Sequence, residues 1–357
     1  MSIHHYYPRL KWKPAEWEAL QTLPTNILEG LTPILFIPDI DWDYENDCYK
    51  KSLASYLSNF GTTLAASWPL GRPVLLDVGY LDLHGTITSH PLDLCIQDAL
   101  QFGKTLVPVY SPYYSPNYLA AVQRNLHNGV ALKLKITDLI QAVYSIPNIV
   151  TNLNITTNFI DLIIDLEDIQ AATFQLQQQA IQVCNTLLSQ AQWRNVILSS
   201  TCYPSSQAGI PQHQVHLHPR EEWRLWSSII QSQPWIKTPS FSDYPTSSSQ
   251  VTSINPRFMS QYVSIRYSTY TDWVFVKGVA ARGNGWGQTQ QLCDILVNSQ
   301  HFMGPNFCWG DEYIDERAKN INRSGGSKEW RKVAHSHHLT LVVQQLFNYS
   351  QQYPAVY

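Results

Sequence analysis

The chain has 357 residues and a formal net charge of −3, with 24 Lys and Arg residues against 27 Asp and Glu residues. This balance excludes a global basic field that gathers nucleic acid, so any anion site must be a local cluster. Only 14 % of the residues are charged, so charged residues within apolar segments are informative. The length suits one large α/β domain with additions.

The six cysteines are scattered without a Cys-x-x-Cys pair, which favours free thiols in a reducing cytosol over a disulfide scaffold. The N-terminal segment "MSIHHYYPRLKWK" has no apolar signal core. Apolar runs such as "FIDLIIDL" carry charges and are far too short to span a membrane. We therefore predict a soluble, cytoplasmic protein that does not bind membranes.

Eight short apolar segments, separated by helical stretches, recur along the chain. We predict strands at residues 5–12, 31–39, 72–80, 105–111, 129–136, 158–168, 194–200 and 240–244. Eight strands, each followed by a helix or a long crossover, predict an α/β fold of the TIM-like (β/α)8 barrel type. A doubly wound open sheet is the alternative, but it normally uses fewer strands over this length.

The C-terminal part has a different pattern. The segment "QYVSIRYSTYTDWVFVKG" (261–278) alternates on both sides of a short polar turn, which predicts a β-hairpin. Helices are predicted at about 288–300 and from Ser327 to about Tyr349. We expect residues 1–250 to form the barrel body and residues 251–357 to add a hairpin and helices that pack on it within the same domain. If the N-terminal segment is only a plug, the first arm of the hairpin becomes the eighth strand; we prefer the first count.

Two lysines interrupt the apolar strand "GVALKLKI". Period-two alternation places Lys133 and Lys135 on one face, and inward side chains at the C-terminal end of a barrel strand lie at the mouth, where TIM barrels carry out their chemistry. A buried ammonium group requires a carboxylate partner or an anionic ligand. The next strand ends with Asp165, and we predict that Lys133 or Lys135 lies close to it. A purely structural Lys–Asp pair between neighbouring strands explains the pattern equally well.

Other charged residues fall at predicted strand ends or in the hairpin, namely Lys11, Lys13, Asp77, Asp243, Arg266 and Lys277. Around one mouth they would form a site suited to a phosphate or carboxylate group. Asp243 precedes Pro245, so an Asx-turn is an equal alternative for it. For Arg266 and Lys277 a solvated edge is preferred over an anion cradle. No residue is singled out as a nucleophile.

Histidines cluster in "HQVHLHP" and "HSHH", but their spacing does not favour a metal site. His338 aligns with apolar residues of the last helix, so we expect it to pack inward. Asp311 in "CWGDEYI" is expected to cap a helix. We predict no metal site and no cofactor.

The segments "YYPRLKWKPAEWEAL" and "TPILF" resemble the opening of the beta protein family, which is named for a phage T4 protein and occurs across bacteria. The blocks "FSDYP", "SIRYSTYTDWVFVKG", "FCWGDEYI" and "EWRKVAHSHHLTLVVQQL" follow in the family's order. One departure is Phe36, where family members often carry a glutamate. The resemblance implies a TIM-barrel-like body and a link to conflict between phages and bacteria. It implies no settled reaction.

Two functions remain open. The first is binding of an anionic ligand at the barrel mouth, either a phosphorylated small molecule, a nucleotide or a nucleic-acid end. The second is a non-catalytic scaffold whose Trp- and Tyr-rich surface binds a partner protein. Dispersal of the charged groups and an exposed aromatic patch would favour the second. Clustering in one pocket would favour the first, which we prefer, and the residues concerned are Lys11, Lys13, Lys133, Asp165, Asp243 and Arg266.

Overall fold

The computed structural model of the chain describes residues 3–135, 139–250 and 261–357. Its strands are β1 (Arg9–Lys11), β2 (Ile34–Phe36), β3 (Trp42–Asp43), β4 (Cys48–Tyr49), β5 (Val74–Asp77), β6 (Leu106–Tyr110), β7 (Val130–Lys135), β8 (Ile160–Asp168), β9 (Asn195–Thr201), β10 (Val215–Pro219), β11 (Ser240–Ser242), β12 (Tyr262–Ser268) and β13 (Asp272–Ala280). Its α-helices are α1 (Pro14–Gln21), α2 (Thr25–Glu29), α3 (Leu53–Leu57), α4 (Phe60–Ser67), α5 (Pro91–Gln101), α6 (Pro116–Arg124), α7 (Leu139–Leu153), α8 (Phe174–Gln190), α9 (Glu221–Gln231), α10 (Ala281–Asn284), α11 (Thr289–Val297), α12 (Trp309–Ala318) and α13 (Ser327–Gln352).

The main sheet is a closed parallel barrel. Its eight strands follow one another in chain order as β1-β2-β5-β6-β7-β8-β9-β11. The first and last strands meet, because the Tyr7 amide donates to the Phe241 carbonyl at 2.9 Å and the Arg9 amide donates to the Asp243 carbonyl at 2.9 Å. The predicted (β/α)8 barrel and the preferred count of eight strands are therefore confirmed, with the N-terminal segment as a strand. Ile136, at the end of the fifth predicted strand, lies outside the described residues.

The barrel interior changes from apolar to charged along the strands. A separate apolar cluster fills the part of the interior that precedes the C-terminal ends of the strands. It comprises Tyr7, Ile34, Leu75, Val107, Val109, Ala131, Ile163 and Ile197. Since alternate residues of a strand face the same side, the next inward positions on four of these strands are Arg9, Asp77, Lys133 and Asp165. Charged side chains thus converge at the C-terminal ends of the strands, the end at which TIM barrels carry their active sites.

The predicted hairpin is confirmed. Strands β12 and β13 are antiparallel, and β10 pairs with the far edge of β13 to give a three-stranded sheet. One face of this sheet, with Val263 and Val274, packs against helices α11 and α12 in a second apolar core. The other face contributes Trp273 and Phe275 to the core around the barrel.

Helix α13 covers the seam between β11 and β1. Near its C-terminal end the Tyr349 ring contacts the Trp226 ring of α9 at 5.3 Å between centroids. On its other side α13 packs closely against the end of α2, because a Cβ atom added at Gly30 would lie 2.5 Å from Val343 Cγ1. The helix therefore occupies the place of the eighth barrel helix. The predicted boundary at residue 250 adjoins residues 251–260, which lie outside the described residues, and it stays a prediction. In the described part of the chain, every helix is too short or too polar to cross a membrane.

Candidate functional site

A cavity of about 560 Å³ opens at the mouth, the C-terminal end of the barrel strands. This size lies within the range of small-molecule sites, roughly 300–1,000 Å³. Its walls combine charged, hydroxyl-bearing and aromatic side chains, among them Arg9, Phe36, Tyr80, Ser111, Tyr113, Tyr114, Lys133, Lys135, Asp165, Glu167 and Tyr244. Phe36, the departure from the family pattern, thus lines this cavity at the end of β2.

Asp165 is held at the floor of the mouth by two partners. Arg9 Nη1 donates to Asp165 Oδ2 at 2.5 Å, and the Tyr244 hydroxyl donates to the same oxygen at 2.7 Å. Both charged side chains are almost completely buried. Burial would lower the pKa of Arg9, but Asp165, followed by Tyr244 and Asp77, outweighs it and raises the pKa. Arg9 is therefore charged, and its contact with Asp165 is fixed in place.

Lys133 belongs to a second group, centred on Asp77, whose carboxylate also lies 4.0 Å from Arg9 Nη2. Its Nζ donates to Asp77 Oδ2 at 2.5 Å and to the Tyr114 hydroxyl at 2.7 Å, and that hydroxyl donates to Asp77 Oδ1 at 2.6 Å. Burial would raise the pKa of Asp77, but Lys133 and Arg9 outweigh burial and lower it. Gly79 is required beside this group, since a Cβ atom there would lie 2.4 Å from the Tyr114 hydroxyl oxygen.

Of the two lysines predicted to lie close to Asp165, Lys133 does not pair with it. In the β7–β8 register Lys133 lies opposite Ile163, whereas Lys135 lies opposite Asp165. Arg9 contacts Asp165 from the other side of the barrel. Lys133 pairs instead with Asp77 on β5, two strands away from β7. In a closed barrel inward side chains meet across the interior, so partners on the adjacent strand have no priority.

Lys135 and Glu167 form the outer edge of the site. Lys135 Nζ lies 2.6 Å from Glu167 Oε1, and the two side chains are 40 % and 41 % exposed. Glu167 has a φ of 56°, a left-handed conformation that is rare for residues other than glycine. It lies where the β8–β9 register shifts between Asp165 and Asp168. Bulges and strained residues of this kind recur beside functional sites, where they redirect a side chain.

Lys11 and Lys13 do not line the mouth cavity. Lys11 is half-buried on the side of α1 and α13; burial lowers its pKa, Glu16 opposes this, and Arg331 adds to the lowering. Lys13 lines a different cavity of about 430 Å³ together with Trp12 and Lys50.

The remaining predicted residues lie outside the mouth as well. Asp243 is completely buried, forms neither a mouth group nor the Asx-turn, and accepts hydrogen bonds from Tyr6 and His338. Arg266 lies in a small groove beside Arg331. Lys277 is buried rather than solvated, and its Nζ donates to three backbone carbonyls of residues 207–210. Four of the nine predicted residues, Asp77, Lys133, Lys135 and Asp165, are brought together at the mouth.

The sequence interpretation missed Arg9 and the tyrosines of the mouth. Arg9 stands two residues before Lys11 in a predicted strand, so alternation places it inward, and this signal was available. Tyr113 and Tyr114 follow the end of β6, where periodicity gives no orientation. Tyr80 and Tyr244 were placed at the ends of predicted strands, but the strands end earlier, at Asp77 and Ser242.

The expected helix cap at Asp311 is also wrong. Asp311 lies in the first turn of α12, but its carboxylate accepts hydrogen bonds from the Tyr267 hydroxyl at 2.6 Å and the Cys308 thiol at 3.0 Å, and it contacts His337 Nδ1 at 2.8 Å. His338, in contrast, packs inward as predicted.

A closed eight-stranded barrel with a charged, tyrosine-lined cavity at the strand C-termini defines a TIM-barrel protein with a candidate ligand site. The family model described as "Beta protein" matches residues 6–344, nearly the whole chain, and the protein belongs to this family. Among solved structures, the chain is similar to a mutant tryptophan synthase α-subunit from the hyperthermophile Pyrococcus furiosus, at 10 % identity and a TM-score of 0.38, over 68 % of this chain and 88 % of that chain. No curated protein matches the chain.

Proposed function

We propose that the mouth binds a small anionic ligand, either a phosphorylated small molecule, a nucleotide or a nucleic-acid end. The observation that carries this proposal is the position of Lys135, a half-exposed cation on the open side of a cavity of about 560 Å³. Its partner Glu167 is equally exposed, and exposed ion pairs contribute at most about 1 kcal/mol. An incoming phosphate can therefore replace the carboxylate at little cost.

The aromatic side chains in the cavity wall favour a ligand that contains a planar ring. Tyr80 and Tyr113 are partly exposed at the cavity, and base–aromatic stacking contributes about 1–3 kcal/mol per base. Ser111 adds a hydroxyl beside them, while Lys133 and Arg9 are already held by carboxylates. The positive and negative charges of the mouth nearly balance, so we expect its affinity for anions to be modest and sensitive to salt. For the same reason we expect a nucleotide to bind better than a polyanion.

Thermal-shift screening with phosphate, nucleotides and short oligonucleotides tests the proposal. A ligand at 100 times its dissociation constant stabilises the fold by about 2.7 kcal/mol. Lys135→Ala should remove the shift, and added salt should weaken binding in the wild type. Lys328→Ala is the control, because Lys328 forms an exposed pair with Glu18 on α1. If no anion raises the melting temperature, the proposal fails.

The second candidate is a scaffold that binds a partner protein. It is favoured by Leu83, which is 94 % exposed at the cavity rim beside Tyr80 and Tyr113, and by the dispersal of Lys11, Lys13, Asp243 and Arg266. Leu83→Ser should leave anion binding intact and weaken a protein contact. A role in conflict between phages and bacteria is a proposal that rests on the family resemblance; deletion of the gene with and without phage challenge tests it.

A further inference from the structure

We propose that Cys308, Asp311 and His337 bind a zinc ion in the C-terminal part of the molecule. Cys308 directly precedes α12, Asp311 lies in the first turn of that helix, and His337 lies on α13. One ligand atom of each residue lies within 4.8 Å of the other two. The site is separate from the mouth, so it does not rest on the proposed function.

In His337 and Asp311, the side-chain atom that would face away from the ion already has a hydrogen-bond partner, as is usual for metal ligands. His337 Nε2 lies 2.7 Å from the Ser268 carbonyl oxygen, and the Tyr267 hydroxyl donates to Asp311 Oδ1 at 2.6 Å. Metal-binding histidines commonly donate their second ring nitrogen to a carbonyl, and ligating carboxylates are commonly hydrogen-bonded. The remaining atoms, Nδ1, Oδ2 and the Cys308 sulfur, converge on one another.

Hydrogen-bond complementarity favours a cation at this point. Both ring nitrogens of His337 face oxygen atoms, the Ser268 carbonyl and the Asp311 carboxylate, that accept hydrogen bonds. A neutral ring carries one N–H and satisfies only one of them, so the other contact requires either a second proton on the ring or a bound metal ion. The side chains of His337 and Asp311 are completely buried, and buried polar groups without partners are costly. A cation bound to Nδ1 and Oδ2 satisfies both groups while Nε2 donates to the carbonyl.

The ligand types select zinc. A thiolate, an imidazole and a carboxylate together suit Zn²⁺, whereas Mg²⁺ and Ca²⁺ prefer oxygen ligands. Binding converts the Cys308 thiol to a thiolate and releases its proton to solvent. Three protein ligands leave a fourth tetrahedral position for water, and Cys308 is only partly buried, which provides access. The ion would connect α12, α13 and, through Tyr267 and Ser268, β12.

Metal loading of the full-length protein tests this site. Protein purified without chelators and dialysed against zinc should retain one zinc ion per chain, measured by mass spectrometry of the elements. The apo protein titrated with cobalt(II) should develop thiolate-to-cobalt charge-transfer absorption. Cys308→Ser should lose this absorption and weaken zinc binding at least tenfold. Cys293→Ser, at a buried cysteine of the same C-terminal core, is the matched control and should keep both.

A second measurement needs no variant, because a change at a buried ligand such as His337 can prevent folding. In the apo wild-type protein iodoacetamide should alkylate the exposed Cys48 quickly and Cys308 slowly, because Cys308 is partly buried and burial beside Asp311 raises the pKa of its thiol. Zinc should protect Cys308 and leave Cys48 reactive. The proposal is overturned if zinc neither remains bound after dialysis nor protects Cys308, or if Cys308→Ser keeps the cobalt absorption.

Discussion

His338 Nε2 lies 2.8 Å from Asp243 Oδ2, and this contact joins the last helix to the end of the last barrel strand. On the other side of the ring, the Ser268 hydroxyl oxygen lies 3.0 Å from Nδ1. A neutral imidazole satisfies both contacts, since Nε2–H donates to the carboxylate and Nδ1 accepts from the hydroxyl. The Trp273 ring stacks on it at 4.4 Å between centroids. One side chain thereby connects the barrel, the hairpin and α13.

The neutral state of His338 predicts a loss of stability in acid. Burial, opposed by Asp243, lowers the pKa of His338 from 6.5 to about 4. Between these values the unfolded state binds more protons than the native state, so stability falls as the pH drops from about 6.5 towards 4. This single group accounts for about 3 kcal/mol over that window. Urea unfolding at pH 7 and pH 5 measures the effect.

His338→Gln is the variant that isolates this contribution, because glutamine keeps a donor and an acceptor but does not titrate. Its free energy of unfolding should be lower than that of the wild type at pH 7, and the difference should shrink at pH 5. An equal difference at both values would show that His338 does not cause the acid sensitivity.

The Arg9–Asp165 pair predicts strong non-additivity. Asp165→Ala leaves a buried guanidinium without its nearest carboxylate and should cost about 3–5 kcal/mol. The double variant Arg9→Met/Asp165→Leu removes both charges and should cost clearly less. Lys135→Ala is the control at the same mouth, and it should cost less than about 1 kcal/mol because its pair is exposed. Urea unfolding compares the three; a double variant as unstable as Asp165→Ala contradicts the pairing.

The left-handed backbone of Glu167 predicts an unusual preference for glycine. Glu167→Gly and Glu167→Ala both remove the carboxylate and differ only in Cβ, and at a φ of 56° the glycine variant should be more stable by about 1 kcal/mol. The same two substitutions at Lys135, within β7, provide the control. There alanine should be the more stable, since glycine has more conformational freedom to lose on folding. The melting temperatures of the glycine and alanine variants at each position test this prediction. If the alanine variant at position 167 melts at the higher temperature, the backbone of Glu167 is not strained.

Lys277 predicts a link between the hairpin and the segment 207–210. Its buried Nζ donates to the carbonyls of Gln207, Ala208 and Ile210 at 2.6, 3.4 and 3.2 Å. Lys277→Met keeps the apolar stem and removes the donor, so this segment should open more often and be cleaved faster in limited proteolysis. Lys319→Met, which breaks an exposed pair with Asp315, should leave the cleavage rate unchanged. If both variants are cleaved at the same rate, Lys277 does not hold the segment 207–210 in place.

The sequence predicted the strands and the hairpin well because they have clear apolar periodicity. It also placed Lys133 and Lys135 inward at the end of β7, since alternation alone fixes the face of a strand. Alternation does not fix the partner across a closed interior, which is why Asp165 was assigned to Lys133 or Lys135 instead of Arg9.

The C-terminal contacts were harder to predict for a different reason. Asp243 directly follows the last barrel strand, and the sequence analysis placed it either with the mouth or in an Asx-turn. The side chain instead turns towards His338 on α13, 95 residues later in the chain. Periodicity within one element carries no information about such distant contacts, and Asp311 was misassigned for the same reason.

The order of the elements along the chain has a consequence for biosynthesis. The seam between β1 and β11 is covered by α13, which follows β11 only after the hairpin and helices α10 to α12. Translation adds about 5–20 residues per second, so a nascent chain that has completed its eight barrel strands waits several seconds with this apolar seam uncovered. A ribosome that stalls in this interval releases a product that chaperones and proteases can recognise. Truncation before α13 should therefore yield a rapidly degraded chain rather than a smaller barrel.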